Sequence, residues 1–217
     1  MSHDHVLPPG HFHHLEPEQA YHSSKLGMWI FLATEVHLFG GLFCTFALYR
    51  WHYLHEFNQY AQSLNWKLGA LNTFFLLTSS YFMVRAVDSA QKGLNRKVVS
   101  HLNVTIFLGC MFFVVKFFEY KAKLVDHVPA ITPKTHIFYG LYYTMTGLHA
   151  LHVLVGVGLL VWIRQLAAKN RFSPVYYTPV EVIGLYWHLV DVIWIYLFPI
   201  LYLLGGIGTH GAAVVGH

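Results

Sequence analysis

Residues 180–204 read Val-Glu-Val-Ile-Gly-Leu-Tyr-Trp-His-Leu-Val-Asp-Val-Ile-Trp-Ile-Tyr-Leu-Phe-Pro-Ile-Leu-Tyr-Leu-Leu, with Glu181, His188 and Asp191 the only acidic or imidazole side chains and no Lys or Arg. An α-helix needs about 20 mostly apolar residues to cross the hydrocarbon core of a bilayer. The run is long enough for that, and too continuously apolar for a barrel strand, which alternates over about 10 residues. With no water at that depth, the backbone must satisfy its own hydrogen bonds as helix. Four more windows of this kind lie at 26–49, 68–90, 99–120 and 136–163. Together the five predict an all-α polytopic membrane protein, a bundle of five transmembrane helices spanning residues 25–205, between a polar tail at 1–24 and a short tail at 206–217.

Composition points the same way. Of 217 residues, 55% are hydrophobic, 17% aromatic and only 11% charged, with a mean hydropathy of +0.44, which excludes an ordinary soluble domain. Tyr49, Trp51, Tyr53, Trp66, Tyr176, Tyr177 and Tyr202 fall near predicted helix ends, where an interfacial aromatic belt is expected. Five spans put the termini on opposite sides. Lys25, Arg85, Lys92, Arg96, Lys97, Arg164, Lys169 and Arg171 lie on the N-terminal side, against Arg50, Lys67, Lys116, Lys121, Lys123 and Lys134 on the other. The excess, concentrated in the two short loops after the second and fourth helices, predicts a cytoplasmic N-terminus and a periplasmic C-terminus. The net charge of +4 fits an orientation signal and anionic headgroups; nothing in the sequence suggests nucleic acid.

Residues 1–24 carry six of the seventeen histidines, with Pro8, Pro9 and Gly10 interrupting any helix, and read as an irregular surface segment. They lack the basic start and apolar core of a signal peptide, so the first helix is expected to direct insertion. Cys44 and Cys110 fall inside spans at no metal or redox spacing and are expected to be buried thiols.

Ionisable groups at bilayer depth are costly and invite a functional reading. Glu35, near the centre of the first helix, fits either a hydrogen-bonded carboxyl joining two helices or a group that handles protons or lipid. His37, two positions on, points to another face. His149 and His152 stand three apart on the fourth helix, close enough to address one site. With a carboxylate they could form a metal shell, and either could oppose His188 across a haem. The Glu-x-x-His repeats of a di-iron bundle are absent, and hydrogen-bonded structural histidines are the favoured reading. Lys116 and Glu119, also three apart, are expected to form a solvated or snorkelling pair. Glu181 and His188, seven apart, define a stripe that should face protein or water, as should Asp191. Gly40, Gly41, Gly140, Thr144, Gly147, Gly156 and Gly158 are expected to draw backbones together into a tight bundle. No phosphate loop, nucleophile triad, Cys-rich site or strong internal repeat is present.

Glu35 in Phe-Leu-Ala-Thr-Glu-Val, Asn72-Thr73 opening the second helix, Glu119-Tyr120 closing the third, Thr146 to Val153 (Thr-Gly-Leu-His-Ala-Leu-His-Val) and Tyr186 to Trp194 together resemble, in order and spacing, subunit III of haem-copper oxidases over residues 24–205. The resemblance implies a non-catalytic membrane subunit of a cytochrome c oxidase with no catalytic residue, haem, copper or other metal of its own. Haem and copper would reside in the catalytic subunit I, which reduces oxygen and pumps protons. The resemblance further implies bound phospholipid and support of proton uptake and working life. Glu35 matches the family's membrane-buried carboxylate, Glu119 its third-helix glutamate, and His149, His152, His188 and Asp191 its polar interior. The common form has seven helices. This chain resembles the short form, lacking the first two, so a lipid cleft would be open or completed by another chain. Quinol oxidases and nitric oxide reductases have similar subunits. Outside the family, a haem-bearing carrier would show a Soret band, and a transporter would show inverted repeats and broken helices.

Overall fold

The computed structural model describes residues 17–62, 64–126 and 133–203. Its elements are α1 (Pro17–His52), α2 (Leu54–Gln62), α3 (Trp66–Gln91), α4 (Asn95–Asp126), α5 (Pro133–Ala168) and α6 (Thr178–Phe198), which continues as a π-helical turn over Pro199–Leu203. The only β feature among the described residues is an isolated bridge between Ser173 and Tyr176. The five long helices match the five predicted spans in order. Helix α1 starts at Pro17, so residues 17–24 are helical rather than irregular. The rest of the expected N-terminal tail, 1–16, and the tail 206–217 lie outside the described residues.

Four stretches, Tyr21–His52, Asn95–Lys121, His136–Ala168 and Thr178–Leu203, are long and apolar enough to cross a membrane. Helix α3 has the length, at 26 residues, but Asn72, Thr73, Thr78, Ser79 and Ser80 lower its apolarity. It runs antiparallel to α6 along its whole course: Gly69 packs beside Phe198 and Tyr202 at one end, and Met83 and Val87 pack on Gly184 at the other. Asn72 and Ser79 are buried, and Thr73 and Ser79 meet indoles of α6. The Trp187 indole donates to Ser79 at 3.0 Å and the Trp194 indole to Thr73 at 3.1 Å.

The short helix α2 has no counterpart among the predicted spans. It is too brief to cross and buries one apolar side, on which Phe57 meets Phe46 of α1 and Phe138 of α5 edge to face. At the opposite end of the bundle, Gly93 adopts φ +70 and ends α3, a left-handed conformation glycine takes without strain. Asn95 there donates to the Phe172 carbonyl at 2.8 Å, tying the two loops of that side together.

Helix α6 is the centre of the bundle. Half of its span (50%) is buried, against 17% for α1. Trp187 lies between Gly109 of α4 and Gly156 of α5, where a Cβ would come within 3.0 and 2.9 Å of the indole. Of the small residues expected to draw helices together, only Gly156 does so. Among the described residues, nothing lies within 4 Å of a Cβ built at Gly40, Gly41, Gly140, Gly147 or Gly158, and Thr144 is exposed. The close approaches use Gly69, Gly109 and Gly184 instead. The reason is angular: spacing on one helix identifies a face, but not which way that face turns.

This difference is measurable. Gly156→Ala forces Trp187, fully buried and backed by Gly109, out of its seat, and should destabilise the bundle by about 1–3 kcal/mol. Gly158→Ala, which meets nothing, should stay within about 0.5 kcal/mol of the parent. Thermal denaturation of the two purified variants compares them.

Candidate functional site in the bundle interior

The polar interior is divided between separate clusters. At the end of the bundle near α2, Lys116 and Glu119 of α4 are 4% and 2% exposed, so the expected solvated or snorkelling pair is instead a buried ion pair, 2.9 Å long. One turn apart on an inward face, they sit deeper than their place near the helix end suggested, because α5, α6 and the π-helical turn cover them. Lys116 also donates to the Tyr202 hydroxyl at 2.7 Å. Tyr202 and Tyr142 in turn donate to Glu119 Oε1 at 2.6 and 3.0 Å. The Lys116 ammonium lies 4.6 Å from the centre of a Trp194 ring, within cation–π range. Opposite charges, close geometry and filled hydrogen bonds are the conditions under which a buried pair is tolerated. Tyr202, expected in the interfacial belt, is therefore a core residue, 5% exposed, whereas Trp51 and Trp66 are exposed at 88% and 54%.

The second cluster fixes α1 to the bundle. Glu35 Oε2 lies 2.9 Å from His152 Nε2, and His152 Nδ1 lies 2.8 Å from the Leu148 carbonyl. A carbonyl only accepts, so Nδ1 carries a hydrogen and Nε2 faces the carboxyl. The pair is net neutral either as neutral acid with imidazole or as carboxylate with imidazolium. Phe39 packs edge-on to the same ring, and the Tyr186 hydroxyl donates to the His152 carbonyl at 2.9 Å. His37 faces outward and bonds the Ala33 carbonyl of its own helix. At the end nearer the start of α1, Glu181 receives Lys25 at 2.8 Å and Tyr21 at 3.3 Å.

His149 does not share a site with His152. It is fully buried, its ring 5.2 Å from Trp194 and edge-on to Phe112, and neither nitrogen has a hydrogen-bond partner among the described residues. His188 turns toward α3 instead, with Nδ1 2.7 Å from the Ser80 hydroxyl. The three histidines have separate surroundings, so neither the common metal shell nor the opposed haem pair is assembled. Among the described residues no three His, Cys, Asp or Glu side chains are grouped to hold a metal ion. Glu181 and His188, the predicted stripe, line one groove of about 300 Å³ between α3 and α6. Asp191, one turn from His188, is buried at 3% exposure. Cys44 and Cys110, expected to be buried, are exposed on outward faces of α1 and α4.

Sequence reading did not single out Tyr142, Ser80 or Trp194 as partners. The run of Thr and Ser residues in α3 was the available signal, since small hydroxyls in a spanning helix often bond across to neighbours.

The family model described as "Cytochrome c oxidase subunit III" matches residues 9–206. A Bacillus subtilis protein named cytochrome c oxidase subunit 3 is 33% identical, over 84% of this chain and 87% of that protein. A probable quinol oxidase subunit 3 from Staphylococcus haemolyticus is 28% identical, over 84% and 89%. A haem-copper oxidase subunit I+III from Aeropyrum pernix is 28% identical, over 83% of this chain and 22% of that longer protein.

The buried ion pair predicts strong coupling. Lys116→Met leaves Glu119 charged, buried and short of its cation, and should cost about 3–5 kcal/mol. Adding Glu119→Gln removes the stranded charge and should recover most of the loss. Thermal unfolding of the single and double variants measures the coupling; additive losses would show that the two side chains do not act as a pair.

Proposed function

The chain belongs to the cytochrome c oxidase subunit III family, and from that premise we propose that it is the non-catalytic subunit III of a respiratory oxidase that takes electrons from cytochrome c. The match over residues 9–206 carries this reading. Relatives named as cytochrome c oxidase subunits reach 32–33% identity, against 28% for the quinol oxidase relative. The partner is the catalytic subunit I, which holds the haem and copper. The fused Aeropyrum pernix protein supports that choice, because its name places I and III in one chain.

The chain is an integral membrane protein. In this reading it lies in a bacterial cytoplasmic membrane, N-terminus inside, holds phospholipid against its open helix faces, and sustains proton uptake and working life of subunit I. Its own part is mechanical and electrostatic. Glu35 and His152 hold α1 against α5, and the Lys116–Glu119 cluster joins α4, α5 and α6. Neither is offered to a substrate.

Purification through a tag on this chain in mild detergent tests the reading. Subunit I should follow, with the visible spectrum of its haems and oxygen consumption driven by cytochrome c. Oxygen consumption driven by quinol alone would transfer the assignment to a quinol oxidase. A stable isolated chain beside an oxidase that purifies complete without it would overturn the assignment to an oxidase.

Glu35 gives a finer test. Glu35→Gln keeps the shape and a hydrogen bond toward His152, and should assemble with near-normal initial oxygen reduction. Glu35→Ala leaves Nε2 without its partner, at a cost of about 1–3 kcal/mol, and should loosen α1 and hasten loss of activity during turnover. Initial rate and decay in matched preparations separate the two. Immediate loss of all turnover in assembled Glu35→Gln would mean that this carboxyl is directly required.

A further inference from the structure

Asp191 departs from the pattern of the other membrane carboxyls. Glu119 is bonded by Lys116, Tyr142 and Tyr202, Glu35 by His152, and Glu181 by Lys25 and Tyr21. Asp191 is 3% exposed, and neither of its oxygens makes a hydrogen bond among the described residues. An ionised carboxylate in that state would bear the full desolvation cost without compensation; the neutral acid is the form such a site tolerates. His149 and Asn72 are likewise fully buried with their side-chain polar atoms unbonded. His149 touches Trp194, Asn72 precedes the Thr73 that bonds Trp194, and Asp191 is one turn before Trp194. Three unsatisfied polar groups on three helices, within about a turn of one indole, have no role as structural glue.

A line of exchangeable groups leads from this layer to water. The Ser80 hydroxyl is the polar neighbour of Asp191, though not in hydrogen-bond geometry with it, and is 2.7 Å from His188 Nδ1. His188 lines the groove between α3 and α6. That groove also holds Asp88 and Glu181, whose ion pairs with Lys92 and Lys25 mark its wet end.

We propose that Asp191 is an internal proton-exchange site of the bundle, and that Ser80 and His188 are its route to the groove. Release begins with a small shift that brings Ser80 Oγ within reach of the Asp191 O–H while the Ser80 proton stays on the line to His188 Nδ1. The Asp191 proton passes to Ser80 Oγ, the proton of Ser80 passes to His188 Nδ1, and His188 gives its Nε2 proton to water in the groove. Uptake is the same sequence reversed, so each cycle exchanges one proton and leaves a neutral acid. The inference goes beyond the subunit reading and does not depend on the electron donor or on subunit I, since it rests on burial and bonding within this chain.

Infrared spectroscopy of the purified membrane complex tests it. The carbonyl stretch of a protonated carboxyl should be present in the parent, vanish in Asp191→Asn, and shift when the sample is moved into D2O. Ser80→Ala and His188→Gln should each slow that shift by about tenfold or more, the effect on a rate of losing one hydrogen-bonded link. Ser80→Thr, which restores a hydroxyl, should return it towards the parent rate. His188→Gln serves as the second arm should Ser80→Ala fail to assemble, and the reverse also holds. A spectrum in which Asp191→Asn removes no such band overturns the proposal, as does a parent band that never exchanges or exchange that is unchanged in both route variants.

Discussion

Hydrocarbon offers no hydrogen bonds, and this constraint orders the whole bundle around α6. The helix carries two indoles with donors, a histidine and an aspartate within a length of chain that must lie at membrane depth. All of these but Asp191 have a hydrogen-bond partner on another helix. Trp187 finds Ser79, Trp194 finds Thr73 and His188 finds Ser80, all on α3. The hydroxyls that help keep α3 below the apolarity of the four spanning stretches are thus the groups that bind it to the most buried helix. Removing them would make α3 a better membrane segment by composition and a worse neighbour by chemistry.

Packing follows from the same arrangement. Indoles large enough to reach α3 leave room on the opposite side only for glycine, which is why Gly109 and Gly156 flank Trp187. The aromatic core continues through Phe112, edge-on to Trp194, and on to the tyrosines around Lys116. There an ammonium ion is accommodated because a carboxylate and an aromatic face meet it together. Such a cluster resists being dismantled one residue at a time, since every member is a partner of at least one other.

Helix α1 is attached differently. Its contacts with the bundle run along one side: Lys25 with Glu181, Phe31 with Tyr186, Glu35 and Phe39 with His152, Phe43 with Tyr196, then Phe46 with Phe57 and Phe138. Much of its surface is left outward, including Trp29 and Ile30 at 60% and 59% exposure. The helix is thus anchored along one side and open along the other, and the Glu35–His152 pair supplies its mid-helix polar contact with α5.

Much of this was legible in the chain itself. Apolar runs of spanning length have only one backbone solution in hydrocarbon, so the five long helices and their order followed from residue type and length alone. The ordered motifs from Glu35 to Trp194 likewise carried the family. Helix α2 was not legible, because nine residues with one apolar side give too weak a pattern to separate from a loop. What only the tertiary structure decided was direction. His149 and His152 are three residues apart, yet one lies against Trp194 and the other binds Glu35, because α5 is wedged between neighbours on different sides. Lys116 and Glu119 stand near a helix end, yet Tyr142 and Tyr202 close over them. Gly140, Gly147 and Gly158 form a stripe like any packing face, yet no described residue of this chain packs on it. Periodicity along one helix determines which residues share a face; where that face points depends on the positions of all the other helices, which no single segment encodes.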